Sequence, residues 1–97
     1  MVTTYSDIFL ESAKLPNLIS AYGTVFKEDF DHPNQKTQRE LDRVSKTIKS
    51  LSPKKRAEGA SILSERFAHA ESPEKAAEYD VLRNNYRSRF QPPIGSF

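Results

Sequence analysis

Four prolines divide the chain into segments of similar length. Pro16, Pro33, Pro53 and Pro73 recur at intervals of about 20 residues, and each precedes a stretch rich in helix-forming residues. Proline is tolerated in the first turn of an α-helix, where its missing N–H would have no partner, but it interrupts a helix interior. The spacing therefore predicts a succession of short helices with a break near each proline.

Two of these breaks carry a second helix-start signal, a serine directly before the proline. The hydroxyl of Ser52 or Ser72 can accept a hydrogen bond from the free backbone N–H groups of a first helical turn. The start near Pro33 is marked less clearly, with Asp31 or His32 as the candidate cap. We therefore expect well-defined starts for the last two helices and a less regular entry into the third.

The spacing of apolar residues predicts where the helices lie. Apolar positions three and four residues apart are typical of an amphipathic helix. They favour five helices, at about residues 4–14, 17–30, 34–51, 53–70 and 73–90. The expected apolar faces comprise Tyr5, Ile8, Phe9 and Leu15 in the first helix; Leu41, Val44, Ile48 and Leu51 in the third; Ala60, Leu63, Phe67 and Ala70 in the fourth; and Tyr79, Leu82, Tyr86 and Phe90 in the fifth.

No segment alternates apolar and polar residues as a half-buried strand would. We predict an all-α fold, a small bundle of four to five short helices. Helices three to five form its principal core in this prediction, and the first two pack across them. The prolines at 92 and 93 favour an extended tail over residues 91–97, which leaves residues 1–90 as a single helical domain.

The absence of cysteine narrows the classes of protein that this chain can represent. Disulfide scaffolds, thiolate metal sites and cysteine nucleophiles are excluded together. No apolar run approaches the roughly 18 residues that a membrane-spanning helix needs. We expect a cytoplasmic protein with no membrane partner.

The formal net charge of +2 conceals an uneven distribution of charge along the chain. Residues 1–32 carry a balance of −3, residues 33–70 carry +5, and residues 71–97 are neutral. The excess of positive charge therefore belongs to the predicted third and fourth helices.

The cations of the third helix form one stripe. On a helical wheel, four of them fall within an arc of roughly 80° that faces away from the apolar stripe, and no acidic residue of the same helix interrupts the arc. A fifth cation lies near its edge. We call these five residues the basic face and predict that they bind a partner: Lys36, Arg39, Arg43, Lys46 and Lys49.

Three further cations occupy the first turn of the fourth helix. A helix N-terminus disfavours positive side chains, so local stability does not explain them. Together with the serine cap they suggest an anion-binding helix start, although solvated lysines on an exposed helix are the simpler alternative. This predicted site comprises Ser52, Lys54, Lys55 and Arg56.

Ten Phe and Tyr residues are ample for so small a core, so some of them can serve as exposed anchors for a partner. Burial in the core is the alternative. The candidate anchors lie before the third helix and around the C-terminus: Phe26, Phe30, Phe90 and Phe97.

Residues suited to catalysis are sparse. His32 and His69 are the only histidines, and neither is followed by a ligand-like residue three or four positions further along the chain. The three glycines are too scattered to form a phosphate-binding loop. We predict no metal site, no cofactor and no enzymatic activity.

These features favour a non-enzymatic protein-interaction module, such as a small regulator, inhibitor or accessory subunit. Its basic face would engage an acidic surface of a partner protein. One alternative is a nucleic-acid-binding protein that contacts phosphates through the same cations. Another is a homo-oligomeric structural protein, for example a homodimer, whose mass would depend on concentration.

Overall fold

The computed structural model describes residues 4–90, which form five α-helices and contain no strand. This confirms the predicted all-α fold. The predicted tail over residues 91–97, including Phe97, lies outside the described residues. The helices are α1 (Asp7–Ser12), α2 (Leu15–Asp31), α3 (Gln35–Lys49), α4 (Pro53–Ala68) and α5 (Pro73–Phe90).

The serine–proline signals mark the starts of α4 and α5. Pro53 and Pro73 are the first residues of these helices. The hydroxyl of Ser52 accepts a hydrogen bond from the backbone N–H of Lys55 at 3.2 Å. Ser72 does the same for the third residue of α5, also at 3.2 Å. Both caps satisfy an N–H group that has no partner within the helix.

The entry into α3 differs from the prediction. Asp31 still belongs to α2, so neither it nor His32 caps α3. The cap is Asn34, whose side-chain oxygen accepts from the backbone N–H of Thr37 at 3.0 Å, while the Thr37 hydroxyl accepts from the Asn34 backbone N–H at 3.0 Å. This reciprocal pair satisfies two N–H groups at once, which Asp31 and His32 cannot do from inside or directly after α2.

Within residues 4–90 the chain divides into two units, with the division after Ser50. In the first unit α2 packs against α3, and α1 contacts α3. In the second unit α4 packs against α5. The predicted three-helix core of α3, α4 and α5 is therefore wrong in its pairing, since α3 belongs with α1 and α2. The prediction of one domain over residues 1–90 stays a prediction.

Most of the predicted apolar stripes are buried. In α3 Leu41, Val44 and Ile48 are buried, and in α2 the buried set includes Ile19 and Tyr22. The second unit buries Ala60 and Leu63 of α4 and Leu82, Tyr86 and Phe90 of α5. Leu51, Phe67, Ala70 and Tyr79 of the predicted stripes are half-buried. In α1 Ile8 and Phe9 are exposed, and Leu10 is the buried residue. Among residues 4–90, no helix is long and apolar enough to cross a membrane.

Candidate interaction surface on the third helix

The junction between α2 and α3 sets the orientation of the cations. The Thr37 hydroxyl donates to the Asp29 carboxylate at 2.9 Å, which ties the first turn of α3 to the last turn of α2. With Leu41 and Val44 buried, the opposite side of α3 faces solvent. Four members of the basic face are accordingly exposed: Lys36, Arg39, Lys46 and Lys49.

Arg43 differs from the other four cations because it already has anionic partners. Its guanidinium donates to the Asp7 carboxylate of α1 at 2.5 Å and to the Glu40 carboxylate at 2.7 Å. These hydrogen bonds, first to Asp7 and then to Glu40, raise the pKa of Arg43 above its usual value. No acidic residue of α3 lies within the arc of Lys36, Arg39, Arg43 and Lys46, but Asp7 of α1 contacts the arc at Arg43.

Glu40 is the buried member of this group. It is only 8% exposed, and its second carboxylate oxygen accepts from the backbone N–H of Tyr5 at 3.3 Å. A buried carboxylate is costly unless it is paired and hydrogen-bonded, and here both oxygens have donors. Glu40 thus joins Arg43 to the segment that leads into α1.

The sequence indicates that Glu40 is buried, but no pattern in it indicates that Asp7 contacts Arg43. Glu40 lies three residues after Thr37 and four before Val44, both buried, so helical periodicity places it beside the buried stripe. Asp7 is 36 residues from Arg43 along the chain, and no local pattern relates the two. The exposure of Ile8 and Phe9 contradicts the prediction that both lie on the buried apolar face of α1.

The first unit has no net charge of its own. Residues 1–50 contain seven Lys or Arg and seven Asp or Glu. Five of the seven basic residues lie in α3, and the other two, Lys14 and Lys27, precede that helix. Five of the seven acidic residues also precede α3. The cations of the unit are therefore concentrated on one helix.

At the predicted anion-binding start of α4, several groups already form contacts within the protein. Ser52 uses its hydroxyl to cap the backbone N–H of Lys55, and the Lys55 ammonium lies 3.8 Å from the Glu58 carboxylate. Arg56 is half-buried, and its backbone carbonyl accepts a hydrogen bond from the Tyr86 hydroxyl at 2.7 Å. Lys54 is exposed. Anion binding at this helix start stays a prediction.

The candidate aromatic anchors have different environments. Phe30 is 69% exposed at the end of α2 and stacks on half-buried Phe26, with 6.2 Å between ring centroids. Phe90 is buried and lies against Tyr86, with ring centroids 4.8 Å apart. Its burial removes it from any exposed surface, so of the described candidates Phe30 is the one suited to anchor a partner.

Within the described part of the chain, no group of three or more His, Asp or Glu side chains is placed to hold a metal ion. Comparison of the sequence with protein-family models and with curated proteins, and of the structure with solved structures, finds no match.

Proposed function

We propose that this protein is a non-enzymatic interaction module that binds an acidic surface of a partner protein through the basic face of α3. One observation carries the proposal: four cations on a single side of α3 are exposed while the opposite side is buried against the rest of its unit. Clustered exposed cations attract an acidic surface and orient it during the encounter.

Apolar contact beside these cations supports a protein as the partner. Phe30 is exposed at the end of α2, and only residues 32–34 separate that helix from α3. The Phe30 ring and the Lys36 side chain therefore belong to the same end of the helix pair. An aromatic anchor beside a charged rim is a common arrangement at protein–protein interfaces, where buried aromatic side chains supply much of the binding energy.

The charge balance of the first unit favours an acidic protein over a nucleic acid. Binding to a phosphate backbone depends on the release of counterions by many unpaired cations. Residues 1–50 have no net charge, and Arg43 is paired with Asp7 and Glu40. A local acidic patch needs only the four exposed cations, whereas a long polyanion would also meet acidic residues, seven of which lie within residues 1–50.

Charge reversal on the exposed part of the basic face tests the proposal. The variant Lys36→Glu/Arg39→Glu leaves Arg43 and its carboxylate partners intact, and glutamate is favourable near a helix N-terminus. The matched control, Lys14→Glu/Arg87→Glu, changes the net charge equally at two exposed positions outside α3. Both variants should show the far-ultraviolet circular dichroism of the wild type.

The measurement is capture from a lysate of the source cell by the immobilised chain, quantified by mass spectrometry. The wild type and the control should retain the same acidic protein, and the basic-face variant should lose it by about tenfold or more. Equal capture by all three proteins would contradict the proposal.

A second arm separates proteins from nucleic acids as partners. Fluorescence polarisation with duplex and single-stranded oligonucleotides at two salt concentrations should show no salt-dependent binding at about 1 µM protein. Binding that weakens steeply with salt and disappears in Lys36→Glu/Arg39→Glu would assign the basic face to nucleic acid instead.

A further inference from the structure

Helix α1 is held on α3 by few contacts. It has six residues, fewer than an isolated helix needs to be stable in water, so its conformation depends on its packing. Leu10 is its only buried residue. Within residues 4–90, this segment is also attached by the ion pair of Asp7 with Arg43 and by the hydrogen bond from the Tyr5 backbone to Glu40.

The rest of α1 faces solvent. Ile8 is 79% exposed, and the Asp7 side chain is 80% exposed although it contacts Arg43. The link to α2 consists of Ala13 and Lys14, both in extended conformation and neither part of a helix. The capping contacts of α1 lie within the segment itself, where Ser6 accepts from the Phe9 backbone N–H.

The residues of α1 that contact the rest of the first unit have the chemistry expected of an acidic partner. Asp7 places a carboxylate on a member of the basic face, and Leu10, three positions later, supplies buried apolar surface from the same side of the helix. In the part of the chain that the structure describes, Arg43 is thus the one cation of the basic face with an anionic partner from another helix.

We propose that α1 is an internal competitor for the basic face, which an acidic partner displaces when it binds. The partner's recognition segment has the same two elements, a carboxylate for Arg43 and an apolar residue about one helical turn away that takes the place of Leu10. This inference rests on the proposed function and adds to it the class of partner and its regulation. The attachment of α1 lowers the apparent affinity for the partner, because the binding-competent form is only a fraction of the population.

Two isosteric substitutions, each of which removes one negative charge, test whether Asp7 competes with the partner for Arg43. Asp7→Asn removes the carboxylate that Arg43 contacts, and Glu11→Gln removes an exposed carboxylate on the same helix. The probe is a fluorescein-labelled peptide with the sequence of residues 4–14, titrated into each full-length protein and followed by polarisation. Asp7→Asn should bind the probe about threefold to fivefold more tightly than the wild type, as expected for loss of one exposed ion pair, and Glu11→Gln should match the wild type.

Amide hydrogen exchange provides the second readout. The Leu10 backbone N–H is bonded to the Ser6 carbonyl at 3.1 Å, and the Gln38 N–H is bonded to the Asn34 carbonyl at 3.0 Å. Saturation with the unlabelled peptide should increase exchange at Leu10 and leave Gln38 protected. Equal affinity in Asp7→Asn and Glu11→Gln, absence of peptide binding to all three proteins, or unchanged protection of Leu10 in the bound state would each overturn the inference.

These results are independent of the test of the proposed function. Lys36→Glu/Arg39→Glu reports on capture of the natural partner and leaves Asp7 and Arg43 unchanged. If that variant loses the partner while Leu10 remains protected with peptide bound, the basic face is the interface and α1 is not its competitor. If all variants capture the partner equally, the proposed function itself is contradicted.

Discussion

Tyr86 combines an apolar role with a polar one. Its ring is fully buried and lies against Phe90, as expected of a residue in the α5 stripe. Its hydroxyl donates to the Arg56 carbonyl in the first turn of α4 at 2.7 Å. Burial of the phenol raises the pKa of Tyr86 to about 12, although the charge of Arg56 opposes this shift. The Tyr86 ring thus packs in the core of the second unit, and its hydroxyl joins α5 to α4 by a hydrogen bond.

We expect Tyr86→Phe to lower the free energy of unfolding by about 1 kcal/mol, because the hydrogen bond to Arg56 is lost while the ring is retained. Tyr79→Phe is the matched control, since Tyr79 is half-buried on the same helix. Urea denaturation followed by circular dichroism measures both. Equal stability of the two variants would show that the hydrogen bond contributes nothing measurable.

The same substitution should alter the pH dependence of stability. The unfolded phenol ionises near pH 10, below the pKa of about 12 in the folded chain, so the neutral form is favoured by folding. This contribution is complete below about pH 10 and is lost as the pH rises towards 12. Between about pH 8 and 11, the urea midpoint of the wild type should fall more than that of Tyr86→Phe. An equal decrease of the urea midpoint in both proteins would contradict a raised pKa of Tyr86 in the folded chain.

At the scale of the element, helix boundaries follow from short-range chemistry. Ser52 and Ser72 act as caps because each hydroxyl reaches an N–H three residues ahead. Asn34 and Thr37 act reciprocally at α3, and Thr37 also bonds to Asp29 of α2. The α2–α3 junction therefore depends on one buried hydroxyl that links two elements, whereas the starts of α4 and α5 are capped by neighbouring residues.

Thr37→Val should destabilise the chain by about 1 to 2 kcal/mol and increase exchange in the first turn of α3, because it removes the hydroxyl but preserves the side-chain shape. The control is Thr24→Val, which removes an exposed hydroxyl bonded to the Ser20 carbonyl within α2. Urea denaturation should place the control within about 0.5 kcal/mol of the wild type. A similar loss in both variants would mean that the junction contributes no more than an ordinary surface threonine.

At the scale of the whole molecule, the two units divide the charge differently from the blocks seen in the sequence. The +5 block of residues 33–70 is split at Ser50, so its α3 cations share a unit with the acidic residues of α1 and α2. Residues 51–97 contain eight Lys or Arg and six Asp or Glu. The basic face therefore belongs to a neutral unit, and its action on a partner is local rather than a result of the total charge.

The predicted single domain over residues 1–90 has a direct test. Each unit has about 50 residues and the chain has no disulfide, a size at which an independent core is marginal. We therefore expect cooperative unfolding. Tyr86→Phe, in the second unit, should lower the protection of the slowest-exchanging amides in α2 and α3 as much as in α4 and α5. Loss of protection confined to residues 51–90 would mean that the units unfold separately.

The candidate site could be predicted in part. Lys36, Arg39, Lys46 and Lys49 are exposed as helical periodicity requires, because their orientation depends only on the stripe opposite them. The partners of Arg43 and the exposure of Ile8 could not be predicted in this way. Both depend on how α1 lies on α3, and the decisive contact joins residues that are 36 positions apart.

The sequence by itself determined the all-α class, the starts of α4 and α5, and the side of α3 that faces solvent. These properties arise within a few residues, from proline geometry, side-chain caps and the 3.6-residue period. Only the tertiary structure decided that α3 pairs with α2 and that Asp7 neutralises Arg43. The reason is physical: amphipathic stripes are interchangeable in composition, so partner choice depends on contacts between residues that are distant in the chain.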